Sequence, residues 1–195
     1  MRLFVALDID DSVRERIARY IAGVSPFAPD ARWASPASLH ITLKFIGEQP
    51  GEALVPIKTA LATVSASLPK IEIRKTGFFP TAKSARVFWV GIEAGSELAM
   101  LAKLIDDATA SLGIPKEERA FSPHLTLARS RGSSATPRPL KQDKPNREFQ
   151  LLQERLASFA PPDFGAANPR EFFLYQSQLS PKGSVYTKLA AFGLK

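Results

Sequence analysis

In the stretch Leu39-His40-Ile41-Thr42-Leu43-Lys44-Phe45, apolar and polar side chains alternate without a break. Leu39, Ile41, Leu43 and Phe45 share one parity, and His40, Thr42 and Lys44 share the other. That alternation predicts a half-buried strand with its apolar face in a core and His40 beside Thr42 on the opposite face. Pro123-His124-Leu125-Thr126-Leu127 repeats the arrangement, so both sites read H-x-T-L. His40 and His124 are the two histidines of the chain. With 9 Thr and 21 Leu in 195 residues, one such match by chance comes to roughly 1 in 200. Both together come to roughly 1 in 40,000, before allowing for choice of the pattern after seeing it.

The histidines stand 124 − 40 = 84 residues apart. The same offset lays Leu3 to Ile9 (LFVALDI) over Val87 to Glu93 (VFWVGIE), with Phe4 over Phe88. A helix is expected from Asp11 or Ser12, with Val13, Ile17, Tyr20, Ile21 and Val24 as its apolar stripe. Its shifted counterpart runs from about Ser96 to Leu112 and stops at Gly113. Each half thus reads strand, helix, connection, H-x-T-L strand. The two halves share this pattern but little sequence.

A third helix is expected over Glu52 to Leu68, a strand over Ile71 to Arg74 and a short helix over Phe149 to Phe159. Glu171 to Ser180 and Val185 to Leu194 read as strands joined at Pro181-Lys182-Gly183, a hairpin signal. Trp33, Trp89, Phe78 and Phe79 read as core. Ser130 to Arg147 reads as a basic loop and solvated surface, with a role in RNA binding as the rival reading. The fold expected is α+β: one bilobal domain over residues 1–195, two pseudo-symmetric lobes of antiparallel-rich sheet, helices outside, and both motifs in a central cleft.

Composition narrows the function. There is no Cys, which excludes thiol catalysis, thiolate metal sites and a disulfide framework. Apolar runs fall short of the roughly 20 residues of a membrane span, and no signal peptide is expected ahead of the first strand. A cytoplasmic location without membrane attachment is the expectation. The net charge of +7 favours a polyanionic partner. H-E-x-x-H, G-x-S-x-G, G-x-x-x-x-G-K-[ST] and G-x-G-x-x-G are all absent.

Two imidazoles facing each other can act as general base and general acid near neutrality. Two threonine hydroxyls and a cation would hold an anionic oxygen, and Arg129 is the cation nearest either motif. Cleavage of a phosphodiester needs such a set. Strand parity raises one difficulty. Five residues after His124, Arg129 would face away unless the strand ends or bulges first.

Taken together the chain resembles the two-histidine (2H) phosphoesterase superfamily, and within it the RNA 2′,3′-cyclic phosphodiesterases historically called 2′-5′ RNA ligases. The resemblance runs nearly end to end, through RLFVALDI, LHITLKFIGE, GFFP, ARVFWVGI, FSPHLTLAR and FFLYQSQLSPKGSVYTKL. It implies hydrolysis of a 2′,3′-cyclic phosphate on RNA ends or nucleotides to a 2′-phosphate, with no metal and no cofactor. It implies His40 as proton donor to O3′, His124 as the base that activates water, Thr42, Thr126 and Arg129 on the phosphate, and Phe4 stacking on a base. A monomer is expected. A binding module that kept the cleft without turnover, and reversible 2′-5′ ligation, are the rival functions.

Overall fold

The computed structural model describes residues 1–131, 146–180 and 183–195. Most of the stretch read as a basic loop, and Pro181 and Lys182 of the expected hairpin signal, lie outside these described residues. The strands are β1 Arg2–Leu7, β2 Arg32–Trp33, β3 Ile41–Glu48, β4 Ile71–Phe79, β5 Val87–Ala94, β6 His124–Arg129, β7 Asp163–Ala167, β8 Glu171–Ser180 and β9 Gly183–Gly193. The α-helices are α1 Asp11–Val24, α2 Leu54–Ala62, α3 Ser96–Ala110 and α4 Gln150–Leu156.

Two antiparallel sheets carry the architecture. One has the order β3-β1-β8-β9, the other β2-β6-β5-β4-β7. The expected pseudo-symmetry is visible in the topology. Each motif strand (β3, β6) pairs with the first strand of its half (β1, β5), which pairs in turn with the inner strand of a two-stranded unit (β8-β9, β4-β7). Alternate residues Leu3, Val5 and Leu7 of β1, and Phe88, Val90 and Ile92 of β5, join one core cluster with the buried stripes of α1 and α3. The other faces, carrying Phe4 and Ala6 on β1 and Trp89 and Gly91 on β5, lie toward the motifs. The helices cross over: α1 leaves the first sheet and meets β7, while α3 leaves the second and meets β3.

Several boundaries differ from expectation for identifiable reasons. Asp10, one residue before the predicted cap, is the N-cap of α1, and Asp11 places its charge in the first turn. The third helix is shorter than expected: after a 3-10 turn at Gly51–Ala53, α2 ends at Ala62. Beyond it the backbone turns to the C-terminus, with Leu68 N–H on the Lys195 carbonyl at 3.0 Å and Lys195 N–H on the Ala66 carbonyl at 3.0 Å. Strand β4 continues past Arg74 because Lys75, at φ 61°, absorbs a bulge and the pairing with β5 resumes at Thr76. Strand β7 (DFGAA) has no counterpart in the sequence reading, having the Gly, Ala and Asp content that strands disfavour.

The offset between halves is also not uniform. Thr42 stands opposite Ala6 and Thr126 opposite Trp89, so the partner strands match at 89 − 6 = 83 rather than 84. Phe4, on the motif face, therefore does not correspond to Phe88, which is core.

Candidate active site

A bulge in each motif strand organises the site. In β3, Thr42 pairs with Ala6 and Lys44 with Val5, which leaves Leu43 as the extra residue. In β6, Thr126 pairs with Trp89 and Ala128 with Phe88, which leaves Leu127 extra. A bulge of one residue reverses the facing of everything beyond it. Arg129, opposite Val87, thus returns to the face of His124 and Thr126. The parity difficulty is resolved by the bulge.

The same device overturns the reading of β3 beyond Thr42. Lys44 turns into the core side, where it is 4% exposed and its Nζ meets Asp106 at 2.5 Å and the Pro115 carbonyl at 2.6 Å. Phe45, expected in the core, stands opposite Phe4 on the motif face and is 44% exposed.

The two imidazoles are held alike. His40 lies just ahead of β3 and His124 opens β6. His40 Nδ1 lies 2.7 Å from the Ser38 carbonyl and His124 Nδ1 lies 2.8 Å from the Ser122 carbonyl. A carbonyl only accepts, so Nδ1 carries the hydrogen and Nε2 is left for chemistry. Both serines sit two residues before their histidine, so the repeat is S-x-H-x-T-L, two positions longer than the sequence reading made it.

Aromatic rings wall the cleft. The His40 ring is 4.8 Å from that of Phe4 and meets Tyr186 edge-on at 5.0 Å; the His124 ring meets Phe79 edge-on at 5.0 Å. Tyr175 and Tyr186, from the C-terminal hairpin, had no local signal. Phe4 is only 3% exposed, with one face stacked on Tyr175 at 5.2 Å. It forms the wall behind His40 and has no open face for a base, contrary to the expected stacking role. Phe79 and Trp89 are not core either. With Phe121, Arg74 and Glu93 they line an open groove of about 410 Å³ that ends at His124. The Trp89 indole lies against Gly77, where a Cβ would come within 2.2 Å of it. Phe78 does turn inward, stacked on Phe88 at 4.9 Å, and half-buried Trp33 meets Phe88 edge-on at 5.9 Å.

Electrostatics tie the two halves together. Burial lowers the pKa of His40 to about 4; the Ser38 carbonyl and Asp8 oppose the shift, while Arg129 and His124 add to it. Burial likewise lowers the pKa of His124, opposed by the Ser122 carbonyl and reinforced by Arg129. The two imidazoles and Arg129 therefore lie within electrostatic reach of one another, consistent with strands β3 and β6 touching across the sheets. Thr42 and Thr126 are half-buried on the same faces, and Arg129 Nη2 is 3.5 Å from Thr126 Oγ1. Both shifts favour the neutral imidazole in the free protein. Among the described residues, no three His, Asp or Glu side chains gather as a group that could hold a metal ion. No helix among them is long and apolar enough to cross a membrane.

Two antiparallel sheets bringing a pair of S-x-H-x-T-L segments to one cleft define a phosphoesterase architecture, and comparison with known proteins agrees. The LigT-like phosphoesterase family model matches residues 7–89. An RNA 2′,3′-cyclic phosphodiesterase of Archaeoglobus fulgidus is 34% identical over 195 residues, covering 98% of this chain and 99% of the relative. Its namesake from Methanocaldococcus jannaschii is 31% identical over 186 residues, covering 95% and 96%. A crystal structure of the Thermus thermophilus protein TT0787 superposes with a TM-score of 0.76 at 30% identity, covering 99% of this chain and 97% of that one. The chain belongs to the LigT-like phosphoesterase family.

Proposed function

We propose that this phosphoesterase opens 2′,3′-cyclic phosphates on RNA ends or nucleotides to 2′-phosphomonoesters, using two histidines and no metal. The observation that carries the reading is the matched pair of Nδ1 locks, which leave two Nε2 atoms available around one cationic guanidinium. The names of the full-length relatives point to the same substrate. E. coli LigT, with a TM-score of 0.76 and 26% identity, has been solved with 3′-AMP.

In this mechanism His124 Nε2 takes a proton from water as the water oxygen attacks phosphorus. The P–O3′ bond breaks on the far side, and O3′ takes the proton of His40 Nε2, leaving phosphate on O2′. Thr42 and Thr126 donate hydroxyl hydrogens to the non-bridging oxygens, and Arg129 offsets their growing charge. The arriving phosphate anion raises the proton affinity of both imidazoles. Asp8 adds to this at His40, the histidine that the family resemblance assigns as the acid.

The deciding experiment incubates the protein with 2′,3′-cyclic nucleotides and cyclic-phosphate-ended RNA, with and without EDTA, and resolves the products. The expected result is 2′-phosphate only, indifferent to EDTA. A 3′-phosphate product would reverse the leaving group, and inhibition by EDTA would replace the mechanism with a metal-dependent one.

A further inference from the structure

Arg129 does not stand alone. Its register partner across β2–β6 is Arg32, so the two side chains leave the same face of neighbouring strands. On the other sheet, Arg2 has the parity of Phe4 and Ala6 and therefore lies on the motif face of β1. Both guanidiniums are close enough to Arg129 to weaken its hold on a proton. Three strands, β1, β2 and β6, thus deliver three like charges to one edge of the cleft. Arg32 also reaches the Ser130 carbonyl at 3.4 Å, which orients it along the strand edge.

A set of guanidiniums on one edge matches an anion that spans them, through charge-assisted hydrogen bonds to phosphate oxygens. One phosphate already has Arg129, Thr42 and Thr126 in the proposed reaction. A terminal nucleotide within RNA carries a second phosphate at its 5′ position, one ribose away. We propose that Arg2 and Arg32 form a second phosphate subsite, which holds the phosphodiester on the 5′ side of the terminal nucleotide and makes the enzyme prefer RNA ends over mononucleotides. The inference rests on the reaction proposed above and adds the length of its substrate.

The test compares a three-nucleotide RNA ending in a 2′,3′-cyclic phosphate with the corresponding cyclic mononucleotide, in the wild type, in Arg2→Gln/Arg32→Gln and in Arg2→Lys/Arg32→Lys. The ratio of kcat/KM, trimer over mononucleotide, is expected to exceed one in the wild type. It should fall about tenfold in the glutamine variant and recover in large part with lysine, since point charges suffice for a phosphate contact. The salt slope of log kcat/KM for the trimer should flatten by about 0.7 per arginine removed. A ratio unchanged by the glutamine substitutions would overturn the subsite. Binding of a 2′-phosphate-ended trimer, followed by fluorescence anisotropy, separates the two ideas. Weaker binding in the glutamine variant without wild-type turnover would support the subsite and reject the proposed reaction. Equal binding would reject the subsite whatever the turnover.

Discussion

His40 donates its Nδ1 hydrogen to the carbonyl of Ser38, two residues back, at 2.7 Å, and His124 does the same to Ser122 at 2.8 Å. The acceptors are backbone atoms, so replacing either serine leaves the lock in place. Replacing the imidazole removes Nε2. His40→Ala or His124→Ala is expected to lower kcat by about 10²–10⁴ on a 2′,3′-cyclic nucleotide, with the melting temperature kept. Near-normal turnover in either variant would remove that histidine from the mechanism.

The lowered pKa values have a consequence for pH. The proposed mechanism requires one proton shared by the pair, and kcat/KM reports the free enzyme. With His40 at about 4 and His124 below 6.5, the optimum of kcat/KM should fall below pH 6.5. The kcat profile, which reports the phosphate-bound state, should lie at higher pH. Stability shifts in a defined direction too. Unfolded His40 binds a proton near 6.5 and folded His40 near 4, so stability is lost as pH falls through that window. Thermal unfolding of wild type and His40→Gln between about pH 7.5 and 4.5 checks this, the variant being expected to decline less.

Asp8 sits in a small network that acts on His40. It accepts a hydrogen bond from Tyr175 and pairs with Lys188 at 2.6 Å. Asp8→Asn should pull the alkaline limb of the kcat profile to lower pH, and Lys188→Met should push it higher. A one-unit movement corresponds to about 1.4 kcal/mol. Parallel limbs in all three proteins would show Asp8 to be structural only.

In the proposed mechanism Arg129 faces the phosphate, and Arg2 and Arg32 crowd it. Arg129→Ala is expected to lower kcat/KM by about 10²–10³. Because it relieves repulsion among like charges, the melting temperature should not fall. Arg129→Lys should recover only part of the rate, since a point charge lacks the fork of a guanidinium.

The Lys44–Asp106 pair tests the β3 bulge. Their side chains are 3% and 18% exposed, so removing one partner strands the other. Lys44→Ala should destabilise by about 3–5 kcal/mol, while Lys44→Met/Asp106→Leu together should cost far less. Denaturant unfolding distinguishes these outcomes. A mild loss in the single variant would mean that Lys44 reaches solvent.

Helices α1 and α3, the C-terminal hairpin and the two motifs are legible in the sequence because each carries its own periodicity or repeat. What the sequence does not show depends on distant chain. Leu43 and Leu127 look like ordinary alternating apolar residues, and only pairing with Val5 and Phe88 reveals that each is extra. Hence parity alone puts Lys44 on the wrong face and leaves Arg129 in doubt. Phe79 and Trp89 read as core because an aromatic ring looks the same whether it faces a core or a groove. Tyr175 and Tyr186 reach His40 from more than 130 residues away along the chain, and β7 pairs without any preference of its own sequence.

The paired bulges place Phe45 and Arg129 at equivalent points, since 129 − 84 = 45. One is an exposed ring and the other a guanidinium. A perfectly duplicated cleft would accept a phosphodiester in either of two opposite orientations. With Asp8 near His40 alone and different aromatic walls on the two sides, this difference gives the cleft a handedness, and in the proposed mechanism it sets one way round for the ester.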